Sequence, residues 1–182
     1  AYVFPGGKVD SDDHDEDLLA RLDTPLDALH AALDDPALQA HHAAGFFIAA
    51  CRETFEECGV LLAQDIDGEL AQKVGLHARE GLNFLELLQH YDLRLQLSRL
   101  IPWSRWITPR MASLTNKRFD TRFFVARAPE DQTARHDNRE TTEGIWQSPR
   151  RALERYWARE IDLAAPQIMT LAHFARFGSA AD

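Results

Sequence analysis

The sequence predicts a chain of the α/β class, on three observations. Leucines recur at steps of three and four over residues 18–38 and supply apolar surface again through 69–99, as in helices that bury one face. Two short stretches, 106–108 and 119–126, carry the aromatic and β-branched composition of strands. Pro and Gly punctuate the chain between these segments. With 182 residues, 45% of them hydrophobic, the chain suits one domain, or one domain with a sizeable insertion, and can build a core.

The elements follow in order. Tyr2-Val3-Phe4 reads as the end of a strand, broken by Pro5-Gly6-Gly7. Residues 10–17 are acidic and loop-like. Leu18, Leu19, Leu22, Leu26, Leu29 and Leu33 give residues 18–38 their helical spacing, and Asp34-Asp35-Pro36 ends one segment and starts another. Residues 46–58 read as one helix, ended by Gly59. Residues 69–99 are a second helical region, with Leu82, Leu85, Leu88, Leu93, Leu95 and Leu97 as its apolar surface, stopped by Pro102. The two strand-like stretches come next, then a polar loop over 129–142 and a further strand at Gly144-Ile145-Trp146. Ser148-Pro149, a cap followed by Pro in the first turn, starts a helix to Arg159. Pro166 restarts a last helix to about Phe177. The sequence holds no internal repeat.

Composition narrows the function. The net charge is −9 and the pI about 5.3, whereas a nucleic-acid binder is usually basic over its contact face. No apolar run reaches membrane-span length. Cys51 and Cys58 stand seven apart on one predicted helix, roughly 10 Å along its axis, too far for a disulfide. They are expected to be thiols, which fits a reducing, cytoplasmic compartment. No secretory signal is visible and the chain opens at Ala1-Tyr2 without Met, so the native start is expected to lie upstream.

The chemistry concentrates in Arg52-Glu53-Thr54-Phe55-Glu56-Glu57-Cys58-Gly59-Val60. On a helix Glu53, Glu56 and Glu57 stand at i, i+3 and i+4, so three carboxylates share one face. Alone, this pattern is ordinarily an acidic solvated face. Beside the apolar run Phe46-Phe47-Ile48-Ala49-Ala50, it instead invites a hard cation such as Mg²⁺ or Mn²⁺, which relieves the repulsion through oxygen ligands.

With Phe4-Pro5-Gly6-Gly7-Lys8 upstream, the string resembles the Nudix box, Gly-x5-Glu-x7-Arg-Glu-(apolar)-x-Glu-Glu-x-Gly-(apolar). Its second half matches at Arg52, Glu53, Glu56, Glu57, Gly59 and Val60, with Thr54 where an aliphatic residue is usual. Its first half matches at Gly7, and after five intervening residues stands Asp13, where the family has Glu. Gly7 and Arg52 lie 45 positions apart instead of 14, an insertion of 31 residues at about 14–44. A loop tip accepts such an insertion at modest entropic cost. The acyl-CoA diphosphatase-like branch of the family carries an insertion there. Trp106-Ile107-Thr108-Pro109, residues 117–124, Glu140, Trp146 with Ser148-Pro149, and residues 160–167 look like that branch too.

The resemblance implies an α/β/α sandwich with a mixed sheet and helical insertions, residues 1–182 forming one Nudix domain. That fold has strands before Phe4-Pro5-Gly6-Gly7, where the chain offers two or three residues, so the N-terminal strands are expected upstream. It implies that Glu53, Glu56 and Glu57 hold Mg²⁺ or Mn²⁺, with the Gly7 carbonyl and Glu140 as further ligands, and that Arg52 orients the glutamates. Glu53 and Glu140 are the candidate general bases, with Glu143 a nearby competitor to Glu140. Lys8, Arg118, Arg122 and Trp106 are candidates for the substrate, the arginines for phosphate and the tryptophan for stacking. Surface or core duty is the ordinary reading of each. His41-His42 lacks metal-ligand spacing.

The implied substrate is a small-molecule diphosphate, CoA or acyl-CoA first. Nucleotide sugars, dinucleotides and nucleoside triphosphates remain open, as does a non-catalytic Nudix-fold binding protein. Residues 69–99 serve as lid, homodimer surface or plain packing, with packing preferred.

Overall fold

A computed structural model describes residues 2–108, 118–134 and 144–179. The elements are α1 (Glu16–Leu19), α2 (Leu26–Leu33), α3 (Ala40–Cys58), α4 (Gly68–Glu80), α5 (Phe84–His90), β1 (Ile101–Ile107), β2 (Asp120–Val125), α6 (Pro149–Trp157) and α7 (Ala165–Phe174). They form an α/β/α-like arrangement around a small open sheet.

Helix α3 organises the molecule. Ala44, Phe47, Ile48, Cys51 and Phe55 recur at steps of three and four and are buried. Gly59 ends the helix at φ 69°, a left-handed position glycine adopts without a Cβ penalty. The helix begins at Ala40, six residues ahead of the predicted start, and carries the insertion straight into the box.

β1 and β2 pair antiparallel, Arg105 opposite Arg122 and Ile107 opposite Asp120, with an irregularity between Pro102 and Ser104. Pro102 therefore sits inside a strand at its bulge instead of ending a helical region, a place where a missing N–H is tolerated. The sheet meets α3 through Phe124 against Phe47. It meets α7 through Trp103, stacked on Phe174 at 4.5 Å. Among the described residues the sheet has these two strands, and further ladder contact comes as isolated bridges, Leu22 to Leu95 parallel and Ala63 to Leu95 antiparallel. The mixed sheet that the resemblance implies is here one antiparallel pair and those bridges.

Several predicted elements differ. The 18–38 helix is two helices, because Leu22 pairs with Leu95 and Pro25 caps α2. The acidic stretch is not a loop: Ser11–His14 form a 3₁₀ turn capped by Asp10, and Asp15 caps α1. Residues 69–99 break into α4, α5 and a 3₁₀ turn, Leu97–Arg99, with Val74, Phe84, Leu87 and Leu88 buried in the main core. These helices pack. Among the described residues Tyr2-Val3-Phe4 pairs into no strand; the Tyr2 N–H donates to the Asp162 carbonyl at 3.2 Å. Gly144-Ile145-Trp146 is irregular, with Trp146 76% exposed, and among the described residues it belongs to no strand. Ser148 caps α6 as its sequence predicts, accepting from the Arg151 N–H at 3.3 Å. No helix among the described residues is long and apolar enough to cross a membrane.

Candidate active site

The distant halves of the motif meet. A Cβ placed on Gly7 would fall 2.2 Å from the Glu53 Oε1, so any larger residue in this turn would push that carboxylate from its place. The Gly6 N–H donates to Glu57 Oε2 at 3.3 Å. The turn before the insertion and the helix after it thus form one surface, through contacts 46 and 51 positions apart in sequence.

Arg52 ties this surface together. Its Nε and Nη2 donate to the two oxygens of Asp13 at 2.9 and 3.0 Å, a bidentate pair. Nη1 donates to Glu53 Oε1 at 2.9 Å and Glu56 Oε2 at 3.0 Å, and Nη2 also to the Lys8 carbonyl at 3.0 Å. Asp13 is 1% exposed and closes its own turn by accepting from the Asp10 N–H at 2.8 Å. Asp13 therefore stands against the box arginine and serves as its anchor. The bond to Asp13 is the first cause holding the Arg52 guanidinium far above its ordinary range.

The electrostatics remain unbalanced toward the acid. Asp13, Glu53 and Glu56 share one guanidinium. Glu56 is raised above the usual carboxylate range, first by burial and then, against the pull of Arg52, by the charges of Glu53 and Asp13. A site that resists its own ionisation gains from an added cation. The donors are all oxygen, which suits Mg²⁺ or Mn²⁺. By donor chemistry and charge the residues fit such an ion. Among the described residues, however, no three acid, His or Cys side chains stand closed around one point.

The other predicted residues fall as follows. Lys8 is exposed and gives its carbonyl to Arg52. Arg118 is exposed, and its Nε donates to the Thr108 carbonyl at 3.2 Å. Trp106 is half-buried in β1 opposite Thr121. Arg122 is turned toward the insertion, where it is bonded to Asp35. Glu140 and Glu143 lie outside the described residues. Sequence reasoning passed over Asp35 and Arg105. Arg105 lay in plain view as a charge between strand residues, while Asp35 carried no signal beyond its place before Pro36.

The fold and the carboxylate helix define a Nudix-type domain. A crystal structure of a NUDIX hydrolase from Alicyclobacillus acidocaldarius superposes with a TM-score of 0.73 at 25% identity, covering 98% of this chain and 78% of that one. The family model described as the NUDT19 Nudix domain matches residues 1–174, and the chain belongs to that branch of the Nudix hydrolase superfamily. Similar relatives are acyl-coenzyme A diphosphatase NUDT19 of Homo sapiens, 33% identical over 75% of this chain, and of Gallus gallus, 30% identical over 100%. The chain spans 40% of the human protein and 58% of the chicken one.

Proposed function

We propose that this chain is the Nudix domain of a metal-dependent diphosphatase. Its substrate is CoA or an acyl-CoA, and its products are phosphopantetheine, still acylated when the substrate is an acyl-CoA, and adenosine 3′,5′-bisphosphate. The observation that carries the reading is the contact of Gly7 with Glu53 across the insertion, which assembles a split box into one acidic surface. The named activity of the relatives supports the substrate.

Glu53, Glu56, Glu57 and the Gly7 carbonyl would hold Mg²⁺ or Mn²⁺, with Glu140 as a further ligand. When bound, such an ion polarises the diphosphate and neutralises its charge. Arg52 keeps Glu53 and Glu56 in place from behind and spreads the repulsion between them. Glu53 or Glu140 takes the proton of the attacking water as its oxygen bonds to phosphorus and the bond to the leaving phosphate oxygen breaks. Lys8, Arg118 and Arg122 meet substrate phosphates, and Trp106 offers a ring for stacking. Free thiols at Cys51 and Cys58 are in keeping with a reducing, cytoplasmic setting for such an enzyme.

The test is turnover of CoA, acetyl-CoA, a long acyl-CoA, ADP-ribose, NADH and a nucleoside triphosphate with Mg²⁺ or Mn²⁺, read by product mass. Cleavage confined to the CoA compounds is expected. Glu56→Gln should lower it by about a hundredfold or more, the upper end of what even an outer partner costs a metal site. Cleavage of other compounds alone would discard the substrate. Unchanged turnover in Glu56→Gln would discard the role of Glu56.

A further inference from the structure

The sheet sets two arginines directly opposite each other, Arg105 on β1 and Arg122 on β2. Like charges at such positions repel, and two carboxylates answer them. Asp120 takes Arg105 through Nε at 2.8 Å and Nη2 at 2.5 Å. Asp35, carried in by the insertion, accepts from Arg105 Nη1 at 3.0 Å and from Arg122 Nη2.

The fit at Arg122 is incomplete. Its side chain is 6% exposed, and its guanidinium lies over the Phe46 ring, 5.4 Å from the centroid. Its Nε is buried without a hydrogen-bond partner, and an oxygen of Asp120 stands 3.9 Å from it, beyond hydrogen-bond reach. A buried donor left unmade is costly. A guanidinium can give two parallel bonds to one anion, and Asp35 engages only Nη2 of Arg122. A tetrahedral phosphate brings enough oxygens to meet Arg122 Nε and Nη2 and Arg105 Nη1 together. The position also suits a ligand reaching out from the box. Phe46 precedes Glu53 by seven residues on α3, roughly 10 Å along the axis.

We propose that Arg105 and Arg122 form a phosphate cradle that Asp35 fills as an internal anion. A ligand carrying a phosphate beyond its diphosphate displaces Asp35 and releases the tip of the insertion. This rests on the function proposed above for the choice of ligand. The Ala37 N–H donates to Asp35 Oδ1 at 3.3 Å and the Leu38 N–H to the Asp35 carbonyl at 3.0 Å, so displacement loosens amides that can be followed.

The experiment compares adenosine 3′,5′-bisphosphate with adenosine 5′-monophosphate by calorimetry. The wild type should favour the bisphosphate by about threefold, and Asp35→Asn should widen the ratio to about tenfold or more by removing the competing charge. Arg122→Gln should bring it to about one. An unchanged ratio in Asp35→Asn, or no binding of either nucleotide to it, overturns the proposal. Hydrogen exchange on the wild type needs no variant. Saturating bisphosphate, and not the monophosphate, should speed exchange at Ala37 and Leu38, and slower or unchanged exchange overturns the proposal. A chain that hydrolyses none of the substrate panel yet separates the two nucleotides in this way keeps the cradle and loses the diphosphatase. Hydrolysis without that separation loses only the cradle.

Discussion

Replacing Asp13 by Asn keeps the shape of the side chain and removes the charge that Arg52 grips with two bonds. Asp13 is 1% exposed and the Arg52 side chain 14% exposed, so the pair is dry. Removing one partner of a buried ion pair costs about 3–5 kcal/mol. The lower end applies, because Arg52 keeps Glu53, Glu56 and the Lys8 carbonyl. Asn also retains an oxygen to accept from the Asp10 N–H, which Asp13 holds at 2.8 Å. The expected loss is about 3 kcal/mol, or roughly 6–12 °C in Tm for a chain of this size. Urea unfolding of the wild type, Asp13→Asn, Arg52→Gln and the double variant closes a cycle that isolates the pair. A coupling of about 1.5 kcal/mol or more is expected, as for a hydrogen bond to a charged group. A loss below about 1 kcal/mol with additive singles would refute the argument and leave Asp13 as a mere turn residue.

Other outcomes follow from the same geometry. Gly7→Ala puts a Cβ where the Glu53 carboxylate lies. That carboxylate is the flexible end of a side chain, so stability should change by under about 1 kcal/mol. Turnover should fall by about tenfold or more, as a steady-state comparison would read. Asp35 is held below the usual carboxylate range, first by its bond to Arg122. Its contribution to stability is therefore full above the ordinary carboxylate pKa of about 4 and is lost as pH falls through the lower folded value. Thermal unfolding followed from pH 7 to 2.5 should show that acid loss in the wild type and less of it in Asp35→Asn. Burial pushes the Cys51 thiol up to about 12. Native protein should therefore leave Cys51 unmodified by a maleimide, as peptide mass mapping would show, and unfolding should expose it.

Local signals were legible and long-range ones were not. Ser148-Pro149 and Gly59 mark their helix ends within a few residues, and α6 and α3 begin and end there accordingly. Glu53, Glu56 and Glu57 share a helix face by spacing alone. The break in the leucine-rich run was hidden because Leu22 pairs with Leu95, which no periodicity reveals. The sequence shows Asp13 in the slot of a box glutamate but not its grip on Arg52, 39 positions away. Arg122 has the chemistry of a phosphate ligand, and its charge is met by Asp35 from 87 positions away. Charge type is written in the residue, while the partner is fixed by the fold.

The insertion raises a physical question that these two pairs answer. Thirty-one extra residues between the halves of a box should let the halves drift apart, although the entropic cost of closing a longer loop grows only slowly with its length. Arg52 meets Asp13 and the Lys8 carbonyl at the neck, fixing the upstream turn to the helix that bears the glutamates. Arg122 and Arg105 meet Asp35 near the far end, fixing the insertion to the sheet. Leu18, Leu22 and Leu29 bury its apolar side in the same core as Phe47 and Phe55. The insertion is thus fastened by a buried charge pair at the neck, another near the tip and leucines between. A cut or loosening at its tip should leave Gly7 against Glu53, whereas the loss of Asp13 should weaken that contact by leaving Arg52 only the Lys8 carbonyl on the upstream turn. Activity is therefore expected to survive Asp35→Asn far better than Asp13→Asn, a ranking that turnover of the two variants side by side can reverse.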